Sequence, residues 1–240
     1  MKETTSPRYG TECAAVIAAC RRMNVLGINQ GKSGNVSCRI NQGFLISPSG
    51  IAYDDLSPDQ IVEMDLEGGY FGDWLPSSEW RMHMDIYRSR PEAGAVVHTH
   101  PTYATALSCL RRDVPAFHYM IAMMGGATLR CAKYATFGTA DLSANMLKAL
   151  EDRNACLLAN HGAICFAEAL DKAVDIAAEL ETLCRQYAIV SSLGEPAVLD
   201  DEEMGRVLRL FQAYGRQPGE SPEDADISGR SPVRRDNPAR

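Results

Sequence analysis

"AGAVVHTHP", Ala93 to Pro101, carries the reading of this chain. Its first five residues are small or apolar, which predicts a buried strand. On a strand, residues i and i+2 point to the same side, so His98 and His100 stand next to each other. Burying two imidazoles together is costly unless their nitrogens are satisfied. A pair of hydrogen-bonded core histidines is the competing reading, and it suits one histidine better than two. A divalent ion is the better partner: imidazole suits zinc, and two nitrogens are half of a tetrahedral shell.

A third nitrogen has to come from His83, His118 or His161. His161 fits best. "ACLLAN" and "AICF" read as two strand pieces around a tight break at His161-Gly162, where glycine allows backbone that other residues avoid. His83 lies one helical turn from Glu79 and is expected to face solvent. Spacing alone leaves His118 undecided.

The stretch "LPSSEWRMH" adds hydroxyls and a carboxylate. Ser78 reads as the cap of a helix running to about Ser89, with Glu79 in its first turn. A helix N-terminus beside two hydroxyls, Ser77 and Ser78, makes an anion site. Glu79, next to a metal and a bound phosphate ester, is then a credible general base. "SPSG" (Ser47–Gly50) and "SGNVS" (Ser33–Ser37) are turn sequences when taken singly. Three such loops in one chain fit a phosphate nest. "GINQGKSGNVS", Gly27 to Ser37, imitates a nucleotide P-loop. It is one residue short, follows a helix and precedes a strand, the reverse of the order that motif needs. No G-x-S-x-G elbow and no H-E-x-x-H motif occurs.

The remaining chain frames these segments. Residues 11–26 read as a helix ending at Gly27; "NVSCRI" and "GFLIS" are strands joined at Asn41-Gln42-Gly43. Ser57 starts a short helix followed by the strand "IVEMD", and Asp65 to Asp73 is a polar loop. Helices are expected from about Thr102 to Leu110, from Thr139 to Leu150, from Glu168 to Ser192 and from Asp200 to Tyr214. "VPAFHYMIAMMGG" is ambiguous between strand and loop. From Arg216 on there are four prolines, no aromatic residue, and five Arg against five Asp and Glu. This composition predicts a disordered tail over 216–240. The pattern is mixed α/β, with helices covering a central sheet.

Totals exclude other classes. A formal net charge of -7 argues against a general nucleic-acid binder. Eight cysteines without a C-x-x-C pair read as buried free thiols in a reducing compartment. "MKETTSPRYG" has no apolar leader, and the uncharged run Val114–Leu129 is too short to span a bilayer. A cytoplasmic protein is expected.

Several segments, in order, resemble the class II, zinc-dependent aldolases of sugar phosphates, nearest the branch acting on L-fuculose 1-phosphate. They are "LGINQGKSGNVS", "LISPSGI", "LPSSEWRMHM", "RPEAGAVVHTH", "PAFHYMIAMMGG", "CAKYATFGT", "NHGAI" and "FQAYG". The resemblance covers about Thr11 to Gly215. It implies one domain over 1–215 with the class II aldolase/adducin-like fold: a mostly antiparallel sheet flanked by helices.

Roles follow by resemblance. His98, His100 and His161 look like the zinc histidines. Glu79 is similar to the carboxylate that is both fourth ligand and catalytic acid/base. Gly34, Asn35, Ser49, Gly50, Ser77 and Ser78 look like the phosphate cradle. Tyr119 is similar to a tyrosine that reaches the neighbouring subunit's site and handles the aldehyde-oxygen proton. Phe137, Phe211 and Tyr214 look like residues lining the aldehyde end. The implied assembly is a four-fold ring with interface sites.

The implied reaction is reversible cleavage of a ketose 1-phosphate to dihydroxyacetone phosphate and an aldehyde. L-fuculose, 5-deoxyribulose and 5-methylthioribulose 1-phosphates all remain candidate substrates. Two alternatives use the same fold: a 4-epimerase of the L-ribulose-5-phosphate type, which usually has an aspartate at position 79, and a non-catalytic adducin-like head, which lacks the full metal set. The chain departs from the family pattern at Lys32, where small or hydroxyl residues are usual, and at Ser47 and Ser49, where threonines are common. Lys32 is either a second charge near the phosphate or a surface residue at the rim.

Overall fold

The computed structural model describes residues 8–213. The expected tail and Tyr214 lie outside the described residues. Eight strands form one sheet: β1 (Asn35–Ile40), β2 (Gly43–Ile46), β3 (Val62–Asp65), β4 (Tyr70–Phe71), β5 (Ala95–Thr99), β6 (Cys131–Ala132), β7 (Ala155–Leu158) and β8 (Gly162–Ala167). Their order is β4-β3-β2-β1-β5-β8-β7-β6. All neighbours are antiparallel except β6 and β7.

Among the described residues six helices cover the sheet: α1 (Gly10–Val25), α2 (Trp80–Ser89), α3 (Thr102–Ser108), α4 (Ala140–Ala149), α5 (Leu170–Leu193) and α6 (Asp201–Ala213). The two-residue period of the strands splits the core in two. Val36, Cys38, Ala95 and Val97 face one side, with α1, α3, α5 and α6. Phe44, Ile46, Val96 and Ile164 face the other, with α2 and α4. All five residues of β5 are buried, because the strand is central and helices lie on both faces. In α5 the expected apolar stripe is found: Ala173, Ala177, Leu180, Leu183 and Cys184 are buried, and Ile176 and Tyr187 pack half-buried beside them.

Local chemistry corrects several expectations. Ser78 does not cap α2; Glu79 is the capping position itself, at φ -105° and ψ 15°. Ser57 opens a single 3-10 turn, Pro58–Gln60, whose Gln60 side chain accepts from the Ser57 N–H at 2.9 Å. The polar loop after β3 contains the two-residue edge strand β4. The ambiguous stretch around residues 114–126 is neither strand nor plain loop: Tyr119–Met124 is a 3-10 helix. Thr139 caps α4 as expected, its hydroxyl accepting from the Leu142 N–H at 3.3 Å. Six cysteines are buried, but Cys131 is half-buried and Cys109 is exposed. Among the described residues no helix is long and apolar enough to cross a membrane.

The topology gathers loops at one end of the sheet. The starts of β1 and β8 and the ends of β2, β5 and β7 all lie there, as the antiparallel registers require. Three loops are tied together at that end. Pro48 pairs with Pro76, the Ser77 N–H donates to the Ser47 carbonyl at 3.1 Å, and Lys32 Nζ donates to the Gly50 carbonyl at 2.7 Å.

Candidate functional site

Four side chains converge where those loops meet the end of β5. His98 is its fourth residue, and His100 lies just beyond it. His161 sits in the β7–β8 turn, and Glu79 stands at the start of α2. Their ligand atoms all lie within 4.8 Å of one another. The three imidazole centroids are 4.6, 4.9 and 5.0 Å apart. Glu79, only 5% exposed, puts Oε2 at 2.9 Å from His98 Nε2 and Oε1 at 3.1 Å from His161 Nε2.

Gly162 permits this approach for a reason other than the one expected. A Cβ there would sit 2.4 Å from the Thr99 carbonyl oxygen and 2.6 Å from His100 Cδ2. The glycine lets β8 pass against the end of β5. The left-handed residue of the turn is Asn160, at φ 53°.

The donor set fits a cation. His98 Nδ1 lies 2.9 Å from the Ala163 carbonyl, which can only accept, so Nδ1 carries the hydrogen. In neutral His98 the Nε2 lone pair then points at a carboxylate oxygen. Two lone pairs at that distance need a positive charge between or beside them. Glu79 Oε1, His98 Nε2 and His100 Nε2 are all buried without a hydrogen-bond partner, which native interiors rarely tolerate. A metal ion at the centre would satisfy all three. The same electrostatics appear in the ionisation of the groups. Burial works to raise the Glu79 carboxyl, but the adjoining His98 and His161 rings hold it well below the usual range. Burial works to lower His98, yet the Glu79 charge raises it. His100 is pushed down to about 3 by burial and by its two neighbouring imidazoles.

The hydroxyl and glycine residues lie around this cluster. Ser77 Oγ accepts from the Glu79 N–H at 3.3 Å. Ser49 and Gly50 are exposed on the loop that meets Leu75, where the Ser49 N–H donates to the Leu75 carbonyl. The Gly34 carbonyl accepts from the Tyr53 hydroxyl. Asn35 is buried, and its Nδ2 donates to Glu79 Oε2 at 3.3 Å. Lys32 is tied to the Gly50 carbonyl at the rim.

A cavity of about 320 Å³ opens above the cluster. Glu79, His100 and His161 form its floor; Ser78, Phe137 and Tyr134 stand in its walls. Sequence reasoning missed Tyr134, although it lies three residues before Phe137 in the same quoted segment. The Arg111 guanidinium lies 5.5 Å over the Tyr134 ring, and its Nε donates to Asn160 Oδ1 at 2.6 Å. Within one chain, Tyr119 and Phe211 are not among the residues lining this cavity. Tyr119 is 49% exposed and lies 6.4 Å from Phe211, ring to ring.

His83 does not face solvent. It is wholly buried on the sheet side of α2, because Asn35 and Ser37 of β1 offer polar partners there. His118 is also accounted for: its Nδ1 accepts from the Met120 N–H at 3.2 Å.

Comparison with known proteins gives a consistent result. The family described as "Class II Aldolase and Adducin N-terminal domain" matches residues 14–188. A 5-methylthioribulose-1-phosphate/5-deoxyribulose-1-phosphate aldolase of Rhodospirillum rubrum is 50% identical over 200 residues, 83% of this chain and 90% of that protein. An L-fuculose phosphate aldolase of Escherichia coli is 48% identical over 201 residues, 83% of this chain and 94% of that protein. A solved L-fuculose 1-phosphate aldolase superposes with a TM-score of 0.82 at 40% identity, covering 84% of this chain and 96% of that one.

Proposed function

The chain belongs to the class II aldolase and adducin family, and on that premise we propose that it is a zinc-dependent aldehyde-lyase. It cleaves a ketose 1-phosphate of the L-fuculose, 5-deoxyribulose or 5-methylthioribulose type into dihydroxyacetone phosphate and an aldehyde. The observation that carries this is the cluster of Glu79, His98, His100 and His161, three of which, Glu79, His100 and His161, line an open cavity. Those four side chains would hold the ion. Three imidazoles and one carboxylate are a donor set that suits zinc.

Cleavage breaks C3–C4 and leaves the bonding electron pair on the three-carbon fragment. A bound divalent ion supplies a Lewis acid that stabilises this charge. The chain's own residues handle protons and position. Tyr119, contributed by a neighbouring subunit, accepts the O4 proton as the aldehyde carbonyl forms. Glu79 delivers a proton to C3 and completes dihydroxyacetone phosphate; in synthesis it removes that proton.

Ser49, Gly50, Ser77 and Ser78 with the Gly34–Asn35 turn hold the phosphate, which fixes where C3 and C4 lie. Asn35 contributes through its main chain, since its side chain is engaged with Glu79. By the family resemblance Phe137, Phe211 and Tyr214 serve the aldehyde end, of which Phe137 stands in the cavity wall of the same chain, and the working form is a cytoplasmic homotetramer. A glutamate at position 79, where the 4-epimerases usually have aspartate, and the "FQAYG" segment support cleavage over 4-epimerisation.

A panel of 1-phosphorylated ketoses tests this, read by dihydroxyacetone phosphate release with and without a chelator. Release that stops on chelation and returns with zinc is expected. Release unaffected by thorough metal removal, or epimerised pentose phosphate as the product, would overturn the reading.

A further inference from the structure

His83 is a buried polar residue that this reaction does not use. Both ring nitrogens are nonetheless engaged: Nε2 lies 2.5 Å from Asn35 Oδ1 and Nδ1 lies 2.6 Å from Ser37 Oγ. Ser37 Oγ is in turn 2.8 Å from the Tyr87 hydroxyl. At the other end, Asn35 Nδ2 reaches Glu79 Oε2 at 3.3 Å. Five side chains thus run in a line from the core to the metal cluster. The line exists because two periods match. Glu79, His83 and Tyr87 are spaced by four residues along α2, about 6 Å per step. Asn35 and Ser37 are spaced by two along β1, about 6.6 Å.

The chemistry of the end group sets the direction of every bond. An ionised carboxylate only accepts, so the Asn35 NH₂ must face Glu79 and its Oδ1 must face His83. His83 therefore carries its hydrogen on Nε2. Nδ1 is then an acceptor and takes the Ser37 hydroxyl hydrogen. Ser37 Oγ in turn accepts from Tyr87. A flipped Asn35 would set Oδ1 against the carboxylate and leave a repulsive contact in a low-dielectric interior.

We propose that His83 is a positioning residue for Glu79: by donating Nε2–H to Asn35 it locks the amide with its NH₂ toward Oε2 and so fixes the carboxylate's orientation. This rests on the reading of Glu79 as metal ligand and proton carrier. Buried neutral histidine suits the task, since burial keeps the ring uncharged and its tautomer is then chosen by its two partners alone.

A matched pair of substitutions tests the proposal. His83→Gln places an amide N–H near the position of imidazole Nε2, within reach of Asn35. His83→Asn reaches only the Nδ1 position, toward Ser37. Zinc affinity is measured by chelator competition, and kcat and KM on a ketose 1-phosphate. His83→Asn should lose about tenfold or more in both zinc affinity and kcat with KM nearly unchanged, while His83→Gln should restore both to within about threefold. Equal impairment of the two variants, or wild-type zinc affinity and kcat in His83→Asn, would overturn the proposal.

The wild-type protein gives a test independent of variant folding. With ¹⁵N-labelled histidine, His83 should appear in NMR as the neutral Nε2–H tautomer; the Nδ1–H tautomer overturns the assignment. Failure of the parent reading is distinguishable, because it would show as full turnover in Glu79→Gln whatever the state of His83.

Discussion

Glu79→Gln replaces one carboxylate oxygen by an amide group of nearly the same shape, so the fold should persist. The variant loses the proton carrier, and one of its faces toward His98 and His161 becomes a donor or an uncharged acceptor. Turnover should fall by about 10²- to 10⁴-fold, the usual worth of a positioned acid–base group. Unchanged release of dihydroxyacetone phosphate would rule out the role. His83 makes a second prediction at this scale, about pH. Burial, with the charge of His98, pushes its ring down to about 3, while the unfolded ring titrates near its ordinary value of about 6.5. Below about 6.5 the unfolded chain takes a proton that the folded chain refuses, so the His83 contribution is intact above that pH and is eroded as pH falls toward 3. Comparing urea unfolding of wild type and His83→Gln from pH 7 to pH 4 should show the wild type losing stability more steeply, by up to about 1.4 kcal/mol per pH unit. Parallel curves would contradict a buried neutral ring. His98, His100 and His161 were legible because two share a strand face and one borders a Gly break. His83 was not, because its burial depends on partners from β1, far away in sequence.

Elements were legible where their own pattern is strong, as in the apolar run of β5 or the apolar stripe of α5. They were illegible where pairing alone makes them. Tyr70 and Phe71 form β4 only by bonding to β3, and both are exposed, so no burial pattern marks them. The short helix α3 is held in the same non-local way. Pro101 caps it without a side-chain bond, and Glu181 of α5 supplies the missing acceptors: Oε1 to the Tyr103 N–H and Oε2 to the Ala104 N–H, each at 2.8 Å. Because α3 begins two residues after His100, this clamp also fixes where that imidazole stands. Glu181→Ala should cost about 1.5–3 kcal/mol, the range for hydrogen bonds to a charged group, and should weaken zinc retention as well. Urea unfolding with elemental analysis checks both. A loss of stability with zinc fully retained would separate the clamp from the metal centre.

At the scale of the whole molecule, a single chain leaves the proposed chemistry incomplete. Its cavity holds Glu79 and the histidines, but Tyr119 lies on the exposed surface, against Phe211 and off the cavity walls. A general base that never meets the substrate cannot act, so the proposal requires Tyr119 to come from a second copy. In a closed ring every interface is the same, and each subunit both receives a Tyr119 and gives one. Two inactive variants should then rescue each other. Glu79→Gln subunits still offer Tyr119, and Tyr119→Phe subunits still offer Glu79. In randomly mixed rings at equal ratio, about a quarter of the sites pair an intact Glu79 with an intact Tyr119. Co-expressing the two variants with different tags and isolating the hybrids should therefore recover about a quarter of wild-type turnover, far above either parent. Hybrids that form but show no more turnover than the parents would mean that Tyr119 does not act across the interface.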